Sequence, residues 1–435
     1  MISRIFKERH LRPYFANTSW LLADNVLRIF LGILVNTYVA RYLGPFQFGK
    51  LTFALAIVAI FSILADMGLR LVVVRELLKE PEKRDEILAS AFLLKICGGT
   101  IAALLSMTAI FFLRPLDESS RGIMGILTLM YIFSAFDVIE LWFQSQVRAK
   151  YIVLARTAAF ILISAIRILI IWIKAPLVIF ASTYSLETIL IATGLLWNYG
   201  KQEKKMFFLS FKKERAYELM GFSWPVLLAA FVIYFQVYID QIMLGQIVGD
   251  AEVGQFSAAF NIIMTMDLVS LAVLNTISPM IMKGKLIDKD IYAGRLIKSY
   301  RIMFCLFLII GIPLFVFGPA VVNILYGSAF HQAGIILSLL SIRILFFNFS
   351  AVKYQFLMVE NLFLYCFCAN IIGALIKVVL NFYLIAPFKS IGVICSMIAA
   401  YTVTVFIADI FHPRTRLNLG LMTKGITTFW KVWRD

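Results

Sequence analysis

Charge is scarce in this chain, and most of what there is has one sign. Only 15% of its 435 residues are Asp, Glu, Lys or Arg, with 25 acidic against 41 basic, while 61% are hydrophobic and the mean hydropathy is +0.89. That balance excludes a soluble globule, which could not hide so much apolar surface from water. Histidine is nearly missing: His10, His331 and His412 all fall outside the long apolar runs and are expected in solvated loops. The five cysteines, Cys97, Cys305, Cys366, Cys368 and Cys395, sit mostly inside apolar runs. Cys366 and Cys368 lack the partners of a zinc site, so these cysteines are expected as small hydrophobic filler. No metal, cofactor or catalytic residue set is therefore expected.

What remains is about twelve apolar runs of helix length, each near the roughly 20 residues that cross a bilayer. They lie near 17–40, 48–69, 89–113, 123–147, 152–173, 176–199, 219–247, 254–282, 300–326, 334–358, 366–386 and 391–411. The fold class expected is all-α, a polytopic membrane protein with two six-helix lobes around a central cavity. The basic start, Met1–Phe15, precedes a run too long for a signal-peptide core and without a small-residue cleavage site, so it reads as an uncleaved first span. If the N-terminus is cytoplasmic, 27 lysines and arginines lie in inner segments and five lie outside, namely Arg41, Arg114, Arg121, Lys174 and Lys389. This asymmetry is the positive-inside pattern, and it accounts for the net charge of +16 without a nucleic-acid partner. Both termini are then cytoplasmic in a cell (inner or plasma) membrane.

The longest connections, 70–88, 200–218 and 283–298, all fall inside, and no outer loop has room for a catalytic domain. The connection at 200–218 divides the chain into an N-terminal lobe, 1–199, a linker and a C-terminal lobe, 219–411, in parallel pseudo-repeat. Weak symmetry supports this: Ser19-Trp20 and Leu43-Gly44 before Gly49 are matched by Ser223-Trp224 and Leu244-Gly245 before Gly254. After Pro413, Leu419, Met422, Ile426, Trp430 and Trp433 repeat at helical spacing, so 412–435 is expected as an amphipathic cytoplasmic tail along the inner membrane surface.

Ionisable residues inside the apolar runs are costly, at roughly 2.5–3.5 kcal/mol each on insertion scales, and so point inward by default. The first run carries Asp24, Arg28, Gly32 and Asn36 at four-residue steps, a stripe along one side of a helix. Arg28, Arg167, Arg343 and Lys377 lie roughly 14–23 Å from their helix starts at 1.5 Å per residue, at similar membrane depth. Arg156 and Arg167, eleven residues apart, form a cationic ladder about 16 Å long on one face. Such guanidinium groups suit a phosphate-bearing ligand, which they grip in a planar fork. The four cations are expected as one headgroup site, with Arg156 as an earlier contact nearer the cytoplasm. The alternative is that they only pair with Asp24, Asp137, Glu140, Glu187, Asp240 and Asp267. Any of these six acids is also a candidate to titrate during a cycle, Asp24 beside Arg28 first among them. Lys50, Lys95, Arg301 and Lys353, near run ends, are expected to snorkel. Gly98-Gly99, Pro225, Pro279, Gly311 and Pro313 are candidate bends.

Several motifs point further. Ala40-Arg41-Tyr42-Leu43-Gly44-Pro45 with Phe48-Gly49, Asp66-Met67-Gly68-Leu69 and Val74-Arg75-Glu76-Leu77 resemble the opening of the polysaccharide transporter branch of the multidrug/oligosaccharidyl-lipid/polysaccharide exporter superfamily. Ser223-Trp224-Pro225, Tyr238–Gly245 and Val253–Ala259 are similar to that family's seventh and eighth helices. The resemblance spans nearly the whole chain. It implies two six-helix lobes that move a polyprenyl-diphosphate-linked oligosaccharide to the outer leaflet by alternating access, for O-antigen, capsule or exopolysaccharide assembly. Its partners would be that lipid-linked glycan, membrane lipids and other polysaccharide-assembly proteins. Related lipid II flippases carry two further helices, for which this chain ends too soon. Two alternatives stand beside this. A cation-coupled multidrug antiporter of the same superfamily would want an acidic, aromatic cavity, against which the midplane cations weigh. A membrane-embedded glycan polymerase or glycosyltransferase would want a large outer loop.

Overall fold

The protein is described by a computed structural model, which places the backbone over 12–203 and 207–432. Within those ranges it describes the side chains of Arg28 and of residues from 31 onward, Leu209 excepted. Asp24, the basic start, Ser19-Trp20, Trp433 and Arg434 lie outside the described side chains. Helices occupy nearly all of the described chain, and no strand occurs among the described residues.

In order these are α1 (Arg12–Asp66), α2 (Leu69–Lys79), α3 (Arg84–Leu113), α4 (Glu118–Phe133), α5 (Val138–Ser145), α6 (Ala149–Trp172) and α7 (Leu177–Gln202). They are followed by α8 (Lys213–Ile247), α9 (Asp250–Ile287), α10 (Lys289–Tyr326), α11 (His331–Leu340), α12 (Arg343–Val359), α13 (Phe363–Thr402), α14 (Ala408–Phe411) and α15 (Pro413–Thr427). Among the described residues nine helical stretches are long and apolar enough to cross a membrane, and the bent pair α11–α12 makes a tenth. Of the two longest, Leu31–Lys79 holds the end of the first expected run and all of the second, and Phe363–Phe411 holds the last two. They are broken at Gly44 (φ 67) and at Lys389 (φ 51). Large apolar side chains such as Phe112, Ile309, Ile324 and Phe382 stay exposed along these helices, as lipid-facing surfaces require.

Two of the long connections, 70–88 and 283–298, are more ordered than the sequence suggests. Residues 70–88 form α2 and a single tight turn at Pro81–Lys83 before α3. Between α9 and α10 only Asp288 interrupts the helix, and its carboxylate caps α10 by accepting the Asp290 N–H at 2.9 Å. The candidate bends are not where the backbone breaks. Helices run on through Pro225, Pro279 and Pro313. Gly99 instead lets α3 close on α4, since a Cβ there would lie 2.8 Å from the Tyr131 carbonyl oxygen.

The chain divides into two compact units. Unit 1 comprises residues up to Tyr42 and Ala54–Tyr234, and unit 2 comprises Leu43–Phe53 and Phe235 onward. The core of unit 1 gathers Leu69, Ile87, Ile139, Trp142, Tyr199 and Phe207, and that of unit 2 gathers Leu274, Tyr292, Leu296, Tyr300, Phe349 and Met422. Met422 belongs to a tail expected on the membrane surface. In the structure α15 packs on α10 instead, with Thr415, Asn418 and Met422 buried and the Tyr300 hydroxyl donating to Asn418 Oδ1 at 2.8 Å. Of its apolar stripe only Met422 is buried; Leu419 and Ile426 are partly exposed and Trp430 is exposed.

Candidate functional site

Burying a charge is tolerable only when a counter-charge or hydrogen bonds replace water, so the partners of each buried ion define the site. In unit 1 a chain of alternating charges runs through five helices and one short turn. Lys95 on α3 lies 2.7 Å from Asp66 at the end of α1 and 3.6 Å from Asp137, which sits on the short turn between α4 and α5. Arg70 on α2 reaches Asp137 at 3.9 Å and Glu140 at 3.5 Å. Glu140 on α5 also holds Arg156 of α6 at 2.5 Å and accepts from Gln144 Nε2 at 3.0 Å. Exposure sorts these groups: the Glu140 side chain is 3% exposed, whereas Arg70 is 45% and Arg156 33% exposed. One buried carboxylate thus holds two arginines whose side chains are partly exposed.

Farther along α6, Arg167 is closed in. Its Nη2 lies 3.2 Å from Glu187 of α7, its Nε donates to Thr183 Oγ1 at 3.0 Å, and the group stacks over the Tyr184 ring at 4.5 Å. Arg28 stacks over Phe160 at 5.6 Å, and its Nη1 finds no hydrogen-bond partner among the described residues. The relation of Arg28 to Asp24 lies outside the described side chains.

Unit 2 has its own pairings. Lys377 of α13 lies 2.6 Å from Asp240 of α8 and donates to the Gln236 carbonyl at 2.5 Å, while Asn381, one turn on, donates to Asp240 Oδ1 at 2.8 Å. Arg343 at the start of α12 lies 2.6 Å from Asp267 of α9 and over the rings of Phe347 and Phe260, at 5.4 and 5.7 Å. Arg343 and Lys377 line one cavity with Gln236, Phe260, Met397 and Tyr401. Its volume is about 20 Å³, room for a water molecule and no more.

The structure therefore gives Arg156, Arg167, Arg343 and Lys377 each an acid from the expected set. Three lysines and arginines expected to snorkel are held inside the protein. Lys95 is paired as above, Lys353 lies 2.5 Å from the fully buried Asp409, and Arg301 donates to Thr428 Oγ1 at 3.0 Å. Lys353 also donates to the Thr404 carbonyl at 2.6 Å, an acceptor in the wide helical turn around Val403–Ile407. Lys50 stays partly exposed. Sequence reasoning missed Arg70, Asp66 and Asn381 as site members. Asp66 stood in a quoted motif, and Asn381 lies one helical turn beyond Lys377, which is the spacing that could have found it.

Comparisons with known proteins bear on this geometry. The family described as "Polysaccharide biosynthesis protein" matches residues 14–285. A curated relative, described as a probable low-salt glycan biosynthesis flippase, Agl15, from Haloferax volcanii, is 24% identical over 374 residues, covering 83% of this chain and 75% of that one. Among solved structures, an inward-facing multidrug resistance MATE family transporter of the MOP superfamily aligns with a TM-score of 0.72 at 13% identity. It covers 91% of this chain and 96% of its own. The lipid II flippase MurJ in an inward closed conformation aligns with a TM-score of 0.70 at 12% identity, covering 96% and 92%. The fold is the one these transporters share.

Proposed function

The chain belongs to the polysaccharide biosynthesis protein family, and from that premise we propose that it flips a polyprenyl-diphosphate-linked oligosaccharide from the cytoplasmic to the outer leaflet by alternating access. The observation that carries this reading is the pair of half-open guanidinium groups, Arg70 and Arg156, both held by the buried Glu140. An anionic diphosphate is the ligand such a pair suits, because guanidinium stays charged when desolvated and binds phosphate oxygens in a fork. Arg70 and Arg156 make the first contacts with the headgroup. Arg28, Arg167, Arg343 and Lys377 are the deeper cations, released to the ligand as their acids let go. Asp137, Glu140, Glu187, Asp240 and Asp267 are then the candidates to take up a proton when the substrate borrows their partner. Both termini face the cytoplasm, and the pathway is surface polysaccharide assembly.

The test is mass spectrometry of lipids in cells from which the protein is removed, with complementation by variants whose membrane level is measured. Lipid-linked oligosaccharide should accumulate. Arg70→Gln and Arg156→Gln should each slow flipping about tenfold or more, the worth of a charge-assisted hydrogen bond. No accumulation on removal would defeat the substrate; full activity of both variants would defeat the site. A second reading, export of small cationic compounds, draws on the fold shared with a multidrug transporter. Efflux of a cationic dye by the purified protein in vesicles would favour it, and the accessible Arg70 and Arg156 weigh against it.

A further inference from the structure

Several basic residues at the helix ends of unit 1 have a carboxylate to cancel their charge. Arg84 takes Glu203 at 2.9 Å, Lys212 takes Glu86 at 2.6 Å, Lys83 takes Glu80 at 2.8 Å, and Arg215 shares Glu80 at 3.2 Å. The place where α6 begins and α7 ends is different. Arg148 is exposed and donates from Nη1 to the neutral Gln202 Oε1 at 3.2 Å, and the exposed Lys201 has its ammonium over the Trp197 ring at 4.8 Å. Among the described residues neither has a carboxylate partner, since the neighbouring Glu203 is held by Arg84. These cations stand on a fixed platform: Gln202 Nε2 donates to the Tyr151 hydroxyl at 3.0 Å, and Asn198 Nδ2 donates to the Tyr151 carbonyl at 3.1 Å.

Beside Lys201 a groove of about 470 Å³ opens on α7, lined by Thr193, Leu196, Trp197, Gly200 and Lys201. Residues 193, 197, 200 and 201 share one face of the helix, turned away from the buried Leu195 and Tyr199. Gly200 has no side chain to fill the hollow, and Trp197, 67% exposed, walls it. The Thr193 hydroxyl is occupied, donating to the Ile189 carbonyl at 2.8 Å, so the groove is apolar up to Lys201. Depth completes the picture. The 26 residues of α7 run about 39 Å against a hydrocarbon core of about 30 Å, so its ends stand among headgroups. From Lys201 back to Thr193 is about 12 Å along the helix, toward the membrane interior. An occupant that satisfies the whole groove is anionic at one end and hydrocarbon for the rest.

We propose that this groove holds an anionic phospholipid, with its phosphate on Lys201 and Arg148 and an acyl chain laid over Trp197 and Gly200 toward Thr193. A zwitterionic lipid fits the same wall but brings a cation of its own to the two already there. The site lies wholly in unit 1 and depends neither on the transported substrate nor on the orientation of the chain. Its test is native mass spectrometry of the full chain released from detergent micelles, titrated with phosphatidylglycerol and with phosphatidylcholine of the same acyl chains. Phosphatidylglycerol should bind about twentyfold tighter at one site. Lys201→Gln and Arg148→Gln should each cut that preference about fivefold, the worth of one basic residue beside an anionic surface. Gly200→Leu fills the groove and should weaken both lipids alike. Lys289→Gln, which removes an exposed lysine of α10, should change nothing. Position is read by fluorescence: phosphatidylglycerol brominated on its chains should quench the wild type more than Trp197→Phe. Each of these substitutions falls on an exposed residue, so the fold is not at stake. Equal binding of the two lipids, or a preference that survives Lys201→Gln and Arg148→Gln together, would overturn the site. A polyprenyl phosphate that displaces phosphatidylglycerol at equal concentration would assign the groove to lipids of the transported class and overturn this occupant.

Discussion

Lys377 shows how the partners of a buried ion set its worth. With Asp240 fully buried and 2.6 Å away, each group depends on the other to carry its charge. Removing one partner leaves a bare charge in low dielectric and costs about 3–5 kcal/mol, whereas removing both costs far less. Asp240→Asn and Lys377→Met should each lower the thermal unfolding midpoint in detergent sharply, and the double variant should recover most of the loss. A double variant no better than the singles would mean that packing, not charge, explains the effect. At this scale the sequence was half legible. Arg167, Arg343 and Lys377 were recognisable as buried because each interrupts an apolar run, but their partners lie on other helices, and no spacing rule reaches that far. Lys95 and Lys353 were misread for the same reason. A lysine near the end of a run looks free to reach water until Asp66 and Asp409 are placed beside it.

Among the elements, the apolar runs were the most legible feature, since membrane thickness fixes their length. Breaks and connections were not, because they depend on single backbone groups. Asp288 is the clearest case, one residue that ends α9 and caps α10. The N–H of Asp290, which donates to its carboxylate, holds that acid below its ordinary value of 3.8. A lowered folded value means that the cap stabilises above the ordinary value and that its contribution is lost as pH falls through the folded one. Asp288→Ala should therefore lower the unfolding midpoint relative to wild type at neutral pH, and the difference should shrink to nothing as pH drops below 3.8. A gap that persisted in acid would assign the loss to something other than the charged cap. Glu80, between α2 and the turn that follows it, is likewise held low by its hydrogen bond from Lys83 and by Arg215 nearby.

For the whole molecule, the proposed orientation and the direction of the proposed transport both rest on charge. Carrying about two negative charges outward from a negative cytoplasm is downhill by roughly 2.3 kcal/mol per charge per 100 mV, so flipping of a diphosphate needs no coupled ion on electrical grounds. The orientation this assumes comes from the 27 to five asymmetry of lysine and arginine. The structure adds where the basic residues stand: Arg148 and Lys201 are exposed, with Arg148 donating to Gln202 at 3.2 Å and the Lys201 ammonium over the Trp197 ring at 4.8 Å. Such cation-bearing, Trp-lined helix ends suit a membrane–water interface, and the proposed orientation makes it the inner one. A single cysteine at Gln202, an exposed position, reads the side directly. Cys97, Cys368 and Cys395 are exposed, so all five native cysteines have to be replaced first. In intact cells a membrane-impermeant maleimide should leave Gln202→Cys unmodified, and permeabilisation should make it react fully. Ready labelling from outside would invert the orientation and, with it, the direction in which an anionic headgroup travels downhill.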